Sequence, residues 1–389
     1  MLVLFVQSNV ELNLIEMYVG VLWSPRGPLS LLSRGLLKLI PFMFARLTRP
    51  GLQRAGNLTT SSTFRRTFAV HVCDGFQVDV QSFHDNGVGI VQNFASQEEC
   101  ENMMAQMDTL VSEWDPSDLV VFRTDDKQTE NQGNSDYFLD SGDGIAFFLE
   151  PGAVDEATGL LQEGRSKHLS LNKVGHGLHV QDSVFREYST SSRVSELTRA
   201  LGWIDPVLPQ SMYIFKQPHD GAEVTSHQDS AFLYTEPRQT CLGLWLALED
   251  ATLDNGCVWA RPGSHHEPIR RQFYRNPEYF EQGNKDAPQM LFRNLIPDDT
   301  TEPMKWEGKL PEGVPAEQGA YDAGFVPYEC KQGDLVLIHG SVDHLSLKNT
   351  SDKSRHTFQL HLIEGPKQGV AWSKENWLQL ANGRPFLSL

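Results

Sequence analysis

His227 and Asp229 stand two residues apart in the stretch "SHQDSAFLYTEP". In an extended strand alternate side chains share a face, so this imidazole and this carboxylate point the same way. Such a pair can be part of a metal site or of an acid/base pair. Further on, "GDLVLIHGSVDHLSLKNTSDKSRHTFQLHL" carries His339 and His344 near the end of one strand and Arg355 at the next. Two histidines and one carboxylate form a facial donor set that holds non-haem Fe(II) and leaves three positions open. Those positions can accept a bidentate 2-oxo acid and dioxygen. The far carboxylate of the acid then calls for a planar, permanently charged fork, which arginine supplies and lysine does not match. By geometry alone either His339 or His344 completes the set. Two His and one carboxylate also suit catalytic zinc, but there is no HExxH helix and zinc gives no reason for Arg355.

The elements around these residues read as a β-rich fold. After Gln210 the chain runs through "SMYIFKQP", "CLGLWLALED", "CVWARPG", "DLVLIHG" and "RHTFQLHLIEG". Several short strands at this spacing predict a sandwich or barrel, the jelly roll among them. Asn-Gly in "LDNGC" (253–257) predicts a hairpin. Upstream, the region from Phe76 predicts a short helix, a glycine turn, a strand and a longer helix opened by the capping-box pair Ser96 and Glu99. "YFLDSGDGIAFFLE" predicts two strands around a turn, and Ser192–Leu201 a helix. Residues 267–328, rich in proline and charge, predict a lid inserted over the barrel mouth.

Composition narrows the function. The 389-residue chain has a net charge of −17, yet residues 1–73 carry eight Lys and Arg against Glu11 and Glu16. The main domain, 76–389, is therefore strongly acidic, which argues against a nucleic-acid partner. Residues 1–75 read as an N-terminal extension, largely disordered: a mitochondrial presequence, rich in arginine and serine, or a non-native addition. The expected location is mitochondrial in the first case and cytoplasmic in the second. No run is long and apolar enough for a transmembrane segment. Five scattered cysteines without a CxxC pair fit a reducing compartment and buried thiols.

Taken together, "QSMYIFKQPHDGAEVTSHQDSAFLYTEP", "NKVGHGLHVQDSVF", "LGLWLALEDATLDNGCVWARPGSHHEP", "GDLVLIHGSVDHLSLKNTSDKSR" and "WSKENWLQ" resemble the phytanoyl-CoA dioxygenase family of Fe(II)/2-oxoglutarate oxygenases. The likeness runs from about Phe76 to Leu380. It implies a double-stranded β-helix, a cupin-like jelly-roll barrel flanked by helices. By position, it implies His227, Asp229 and His344 as catalytic metal ligands, and Arg355 as the salt-bridge partner of 2-oxoglutarate. It implies further cosubstrate contacts at Lys173, Met212, Gln228 and Trp245. The implied reaction uses Fe(II), 2-oxoglutarate and O2, yields succinate and CO2, and hydroxylates a small molecule, an acyl-CoA or another hydrophobic metabolite. Related halogenases have a small residue at the carboxylate position, so Asp229 favours hydroxylation. A monomer is expected.

The remaining histidines, His176, His179, His265, His266 and His361, are read as structural, with His265 and His266 on a loop facing the site. His339 becomes a satisfied histidine at the strand end. Arg261, Arg270, Arg271 and Arg275 form a cluster that could meet a phosphate or carboxylate, or line a solvated loop. The reading from another class is a non-catalytic barrel that binds 2-oxoglutarate or a metabolite.

Overall fold

The computed structural model describes residues 3–9, 14–20, 70–73, 75–116, 119–124, 132–155, 157–296 and 313–389. Two compact units separate near residue 67. In the first, Val3–Asn9 and Leu14–Gly20 pair as an antiparallel hairpin. The arginine-rich stretch expected as a presequence falls outside the described residues. Among the described residues no helix is long and apolar enough to cross a membrane.

The second unit begins with helix α1 (Val80–Asn86), strand β1 (Val88–Val91) and helix α2 (Gln97–Glu113). Gly87 ends α1 in the left-handed region at φ 74°, where a Cβ would be strained. The capping box at Ser96 and Glu99 is formed. Helix α3 (Asp136–Asp140) and strand β2 (Ile145–Leu149) follow. The first half of "YFLDSGDGIAFFLE" is thus helical, not a strand, because the Ser135 hydroxyl caps the Phe138 N–H. Strand β3 (Leu171–His176) and helix α4 (Ser192–Ala200) complete the flank.

Eight strands then alternate between two sheets. They are β4 (Pro206–Ile214), β5 (Val224–His227), β6 (Leu242–Ala247), β7 (Val258–Ala260), β8 (Val326–Tyr328), β9 (Leu335–His339), β10 (His344–Ser346) and β11 (Thr357–Glu364). The larger sheet runs β1-β9-β6-β11-β4-β3-β2, and the smaller runs β8-β7-β10-β5. All of these pairings are antiparallel. Successive strands cross from one sheet to the other except at β7 and β8, which are neighbours. That winding is the double-stranded β-helix. It also corrects the expected Asn-Gly hairpin: β6 and β7 lie in different sheets, and the segment between them is a corner. There the buried Asn255 side chain accepts from Thr252 N–H and donates to Asp250 O.

Period-two patterning does two jobs at once. Leu242, Leu244 and Leu246 of β6, Leu335 and Leu337 of β9, and Phe358, Leu360 and Leu362 of β11 pack outward into one core. Helix α2 lays Cys100, Met103, Met107 and Val111 onto that face, all fully buried. Each such leucine contributes roughly 1.5–3 kcal/mol. The alternate residues face the barrel interior, and Trp245, Val336 and Ile338 join a second cluster there. The side chains that could do chemistry occupy this inner face.

The long connection from β7 to β8 is the stretch expected to form a lid. It contains its own hairpin, Arg271–Arg275 paired with Met290–Asn294. Its last three residues, Val326–Tyr328, are a barrel strand rather than lid, paired with Val258–Ala260.

Candidate active site

Strand β5 ends at His227. Gln228 stays extended, at φ −114° and ψ 124°, before a 3-10 turn that starts at Asp229. Alternation therefore survives the end of the strand, and His227 and Asp229 face the barrel interior together. Strand β10 pairs with β5 so that His344 lies directly across from His227. The result is a three-donor cluster, His227, Asp229 and His344, with ligand atoms all within 4.8 Å of one another. His339 is not part of it: its Nδ1 accepts from Ser341 N–H at 3.1 Å, and its ring lies beside His265.

The protonation pattern is that of a site built for a cation. A carbonyl only accepts, so the contact between His227 Nδ1 and Thr225 O at 2.9 Å requires the proton on Nδ1. His344 Nδ1 donates to Val342 O in the same way, at 3.1 Å. Both Nε2 atoms are left as lone pairs, 3.5 and 3.6 Å from Asp229 Oδ1. Burial, then the neighbouring His227, lowers His344 to about 4, so its ring is neutral at physiological pH. Burial raises the Asp229 carboxyl, but the histidines that face it, His344, His361 and His227, outweigh burial and hold the group well below the usual range. Three lone-pair donors converging on one point fit a divalent metal.

His361 orients the carboxylate. Gln210 Nε2 lies 3.3 Å from His361 Nδ1 and can only donate, so His361 carries its proton on Nε2 and donates to Asp229 Oδ2 at 3.3 Å. Oδ1 is thereby left for the metal side. Gly243, paired with His361 across β6 and β11, makes the room: a Cβ there would sit 3.3 Å from Asp229 Oδ2 and 3.6 Å from His361 Nε2. Sequence reasoning read His361 as structural and passed over Gly243. Only the strand register brings the two together.

A cavity of about 1190 Å³, open to solvent, extends from this cluster. Lys173, Met212, Trp245 and Arg355 all line it; Gln228 does not. The Gln228 side chain points to the opposite side, donating to Ser341 O at 2.9 Å and accepting from Arg270 N–H at 3.0 Å. It braces the loop behind the ligands. His265 and His266 also lie off the cavity, their ring centroids 3.9 Å apart and tilted at 38°. His179 is engaged by Ser211 and Leu208, whereas His176 does reach the cavity wall.

Arg355 is the clearest sign of an absent anion. It is 2% exposed, its guanidinium sits 5.0 Å from the Trp245 ring centroid, and one Nη donates to Thr357 Oγ1 at 3.3 Å. Its Nε has no hydrogen-bond partner among the described residues. Burial lowers it to about 10, so it stays charged at neutral pH. A buried cation without a carboxylate is costly, and a carboxylate-bearing ligand would relieve that cost.

Lys173 is fixed from two sides. Its Nζ lies 3.1 Å from His176 Nε2 and 3.5 Å from the Phe122 ring centroid. The Ser141 hydroxyl donates to Phe138 O, so His176 Nδ1 must donate to Ser141 Oγ and its Nε2 accepts from the lysine. Burial holds Lys173 well below the usual amine range.

The chain matches the family model described as Phytanoyl-CoA dioxygenase (PhyH) over residues 83–357. The chain belongs to the phytanoyl-CoA dioxygenase family. It is 40% identical to phytanoyl-CoA dioxygenase domain-containing protein 1 of Danio rerio over 314 residues, 80% of this chain and 97% of that protein. The Rattus norvegicus protein of the same name is 42% identical over 79% of this chain and 96% of its own length. Phytanoyl-CoA dioxygenase of Arabidopsis thaliana is 40% identical over 77% of this chain and 92% of its own. Among solved structures, the epimerase SnoN in complex with Fe3+, alpha ketoglutarate and nogalamycin RO aligns with a TM-score of 0.48 at 16% identity, over 80% of this chain and 93% of that one. Membership makes the chain a dioxygenase that uses iron, 2-oxoglutarate and O2, and the donor set fits those reactants.

Among the described residues no cysteine lines the cavity. Burial raises Cys100 to about 11 and Cys257 and Cys330 to about 12, so these thiols stay protonated and unreactive.

Proposed function

We propose that the protein hydroxylates a small apolar molecule, with His227, Asp229 and His344 holding Fe(II) and Arg355 holding the far carboxylate of 2-oxoglutarate. The observation that carries this reading is the pairing of a metal-competent donor cluster with a buried guanidinium that no carboxylate among the described residues answers. When bound, iron supplies the oxidising chemistry that couples decarboxylation of 2-oxoglutarate to oxygen insertion at a C–H bond.

The protein's own groups do the rest. His361 turns the Asp229 carboxylate so that one oxygen serves the metal and the other stays hydrogen-bonded. The carbonyls of Thr225 and Val342 keep both imidazoles in the ligating tautomer. Trp245 walls the cosubstrate side beneath the Arg355 guanidinium, and Met212 and Lys173 close its flank. Phe122, Phe138, Phe232, Phe273 and Trp377 line the remaining cavity and exclude water from the reacting carbon. A barrel that binds 2-oxoglutarate or a metabolite without catalysis needs the arginine but not the ligating tautomers.

The test is turnover by the purified full chain supplied with Fe(II), 2-oxoglutarate and O2. Succinate should form in a metal-dependent way, and Zn(II) should inhibit. Tight 2-oxoglutarate binding with no succinate under any condition would favour the non-catalytic barrel. Metal titrations separate the two histidines: His344→Ala should weaken Fe(II) binding by about 100-fold or more, beyond the loss of an outer partner. His339→Ala should stay within about threefold of the parent on the same scale. The reverse order would assign the third ligand to His339.

A further inference from the structure

Two of the four arginines that could have met a phosphate are turned inward. Arg261 and Arg270 converge on the carboxylate of Asp343, which is fully buried and stands directly before the ligand His344. Arg270 meets it with both ends of its guanidinium, Nη1 to Oδ2 at 2.5 Å and Nη2 to Oδ1. That fork fixes the planar pair in one orientation. Arg261 donates its side chain to Asp343 Oδ2 and its main-chain N–H to Asp343 O, the latter at 2.9 Å. The Asp343 N–H goes to Ser264 Oγ, also at 2.9 Å. The loop after β7 thus encloses the residue beside the third ligand.

Arg270 reaches the segment of the other two ligands as well. Its N–H donates to Gln228 Oε1 at 3.0 Å, and Gln228 lies between His227 and Asp229. The Gln228 amide in turn donates to Ser341 O at 2.9 Å, two residues before Asp343. A closed ring of contacts results, from Gln228 to Arg270 to Asp343 and along the main chain back to Ser341. The Arg270 carbonyl accepts from Leu295 N–H at 2.9 Å, at the foot of the hairpin of Arg271–Arg275 with Met290–Asn294. One residue therefore commits its N–H to the first ligand segment, its guanidinium to the second and its carbonyl to the lid. The hairpin makes a second tie: Phe273 lines the cavity and packs on Phe232 at 5.6 Å between centroids, and the Phe232 N–H donates to Asp229 O at 2.9 Å.

We propose that Arg270 is a positioning residue for the metal site: it holds the segment bearing His227 and Asp229 at a fixed separation from the segment bearing His344, and it fastens the base of the lid hairpin to both. This rests on the oxygenase reading above. Strand pairing reaches only the edge of the site, because β5 ends at His227 and β10 begins at His344. Past that edge the two segments are joined by Ser230 N–H to Gly340 O at 2.8 Å and by the ring through Arg270. A metal constellation works only when its donors are held within about 0.5 Å of their productive positions. A two-point arginine–carboxylate contact holds an angle as well as a distance, which a lysine in its place would not.

The experiment compares the full chain with Arg270→Met, Arg270→Lys, Asp343→Asn and the double variant Arg270→Met/Asp343→Asn. Arg270→Met should fold, because Arg261 still answers the buried Asp343 carboxylate. Fe(II) titration without O2 reads metal affinity, and amide hydrogen exchange at saturating Fe(II) reads the lid. Arg270→Met should bind Fe(II) about tenfold or more weakly, the scale on which outer partners of metal ligands act. Arg270→Lys should fall between it and the parent. The double variant should lose no more than about threefold beyond the worse single, since both changes break one contact. In the parent, Fe(II) should slow exchange within Arg271–Arg275 by about threefold or more; in saturated Arg270→Met it should not, a difference that lost fold stability alone would not produce. Parent-like Fe(II) affinity in Arg270→Met, or metal-induced protection of the hairpin kept there, would overturn the proposal. Should Arg270→Met not fold, parent-like affinity and protection in Arg270→Lys would overturn it equally. Variants that match a parent able to bind Fe(II) and form succinate refute this proposal alone; a parent that binds no Fe(II) refutes the oxygenase reading and this one with it.

Discussion

Replacing Asp229 with asparagine should lower 2-oxoglutarate turnover by about 10³-fold or more while leaving the protein folded. Losing an outer partner of a metal ligand costs about 10–100-fold, and losing a ligand's charge removes more than that. Asparagine keeps the shape and can still accept from His361, so packing around Gly243 is preserved. The lost property is the negative charge that draws a divalent ion between two neutral imidazoles. The check is succinate formation beside the thermal unfolding curve of the metal-free protein. A folded variant that turns over 2-oxoglutarate near the parent rate would remove Asp229 from the site. Asp229→Ala should be as inactive and also less stable by roughly 1–3 kcal/mol, because the buried His361 N–H then has no acceptor.

Arg355→Met carries the second large effect, and its signs oppose each other. Truncating one partner of a buried, hydrogen-bonded charge pair costs about 2–5 kcal/mol of binding, so 2-oxoglutarate affinity should fall by at least about 30-fold. Iron binding should change little, since no ligand touches this residue. Without 2-oxoglutarate, however, Arg355 is a buried cation whose Nε has no partner among the described residues, and apolar replacements of buried charges are often neutral or stabilising by about 1–4 kcal/mol. The ligand-free variant should therefore melt at or above the parent temperature. Adding 2-oxoglutarate should raise the parent's midpoint, by linkage, and should leave the variant's where it was. A structural arginine would show the opposite: loss of stability with cosubstrate binding intact.

Much of this site could be read from local sequence, and the reason is periodicity. His227 and Asp229 share a face because the backbone stays extended through Gln228. The same alternation turns Gln228 away, so the position between two ligands was the one cosubstrate contact that the fold does not bring to the cavity. The family resemblance implied His344 over His339, but the geometric reason is a register between strands 117 residues apart in number, as the pairing His344 to His227 shows. No local pattern contains that information. His361 and Gly243 are a second case: each is ordinary within its own strand, and their role exists only where β6 and β11 meet.

The errors in the fold have equally local causes. Asn-Gly was read as a hairpin because its two flanking runs looked like partners, yet a jelly roll sends them to different sheets. "NSDYFLD" carried a cap signal, serine before aspartate, that outweighed the β propensity of its aromatic residues. Residues 267–328 were expected to be a lid, and the hairpin within them does reach the cavity through Arg271 and Phe273. Val326–Tyr328 escaped notice as a barrel strand because a three-residue strand is too short to show a period.

The central claim is that one cavity holds a metal between His227, Asp229 and His344 and a 2-oxo acid reaching Arg355. Crystals grown with Fe(II) and 2-oxoglutarate without O2, measured at the iron absorption edge, test it most directly. The account predicts one anomalous peak bounded by both Nε2 atoms and Asp229 Oδ1, with the far carboxylate of 2-oxoglutarate on the Arg355 guanidinium. Iron at another set of side chains, or 2-oxoglutarate bound away from Arg355, would contradict it.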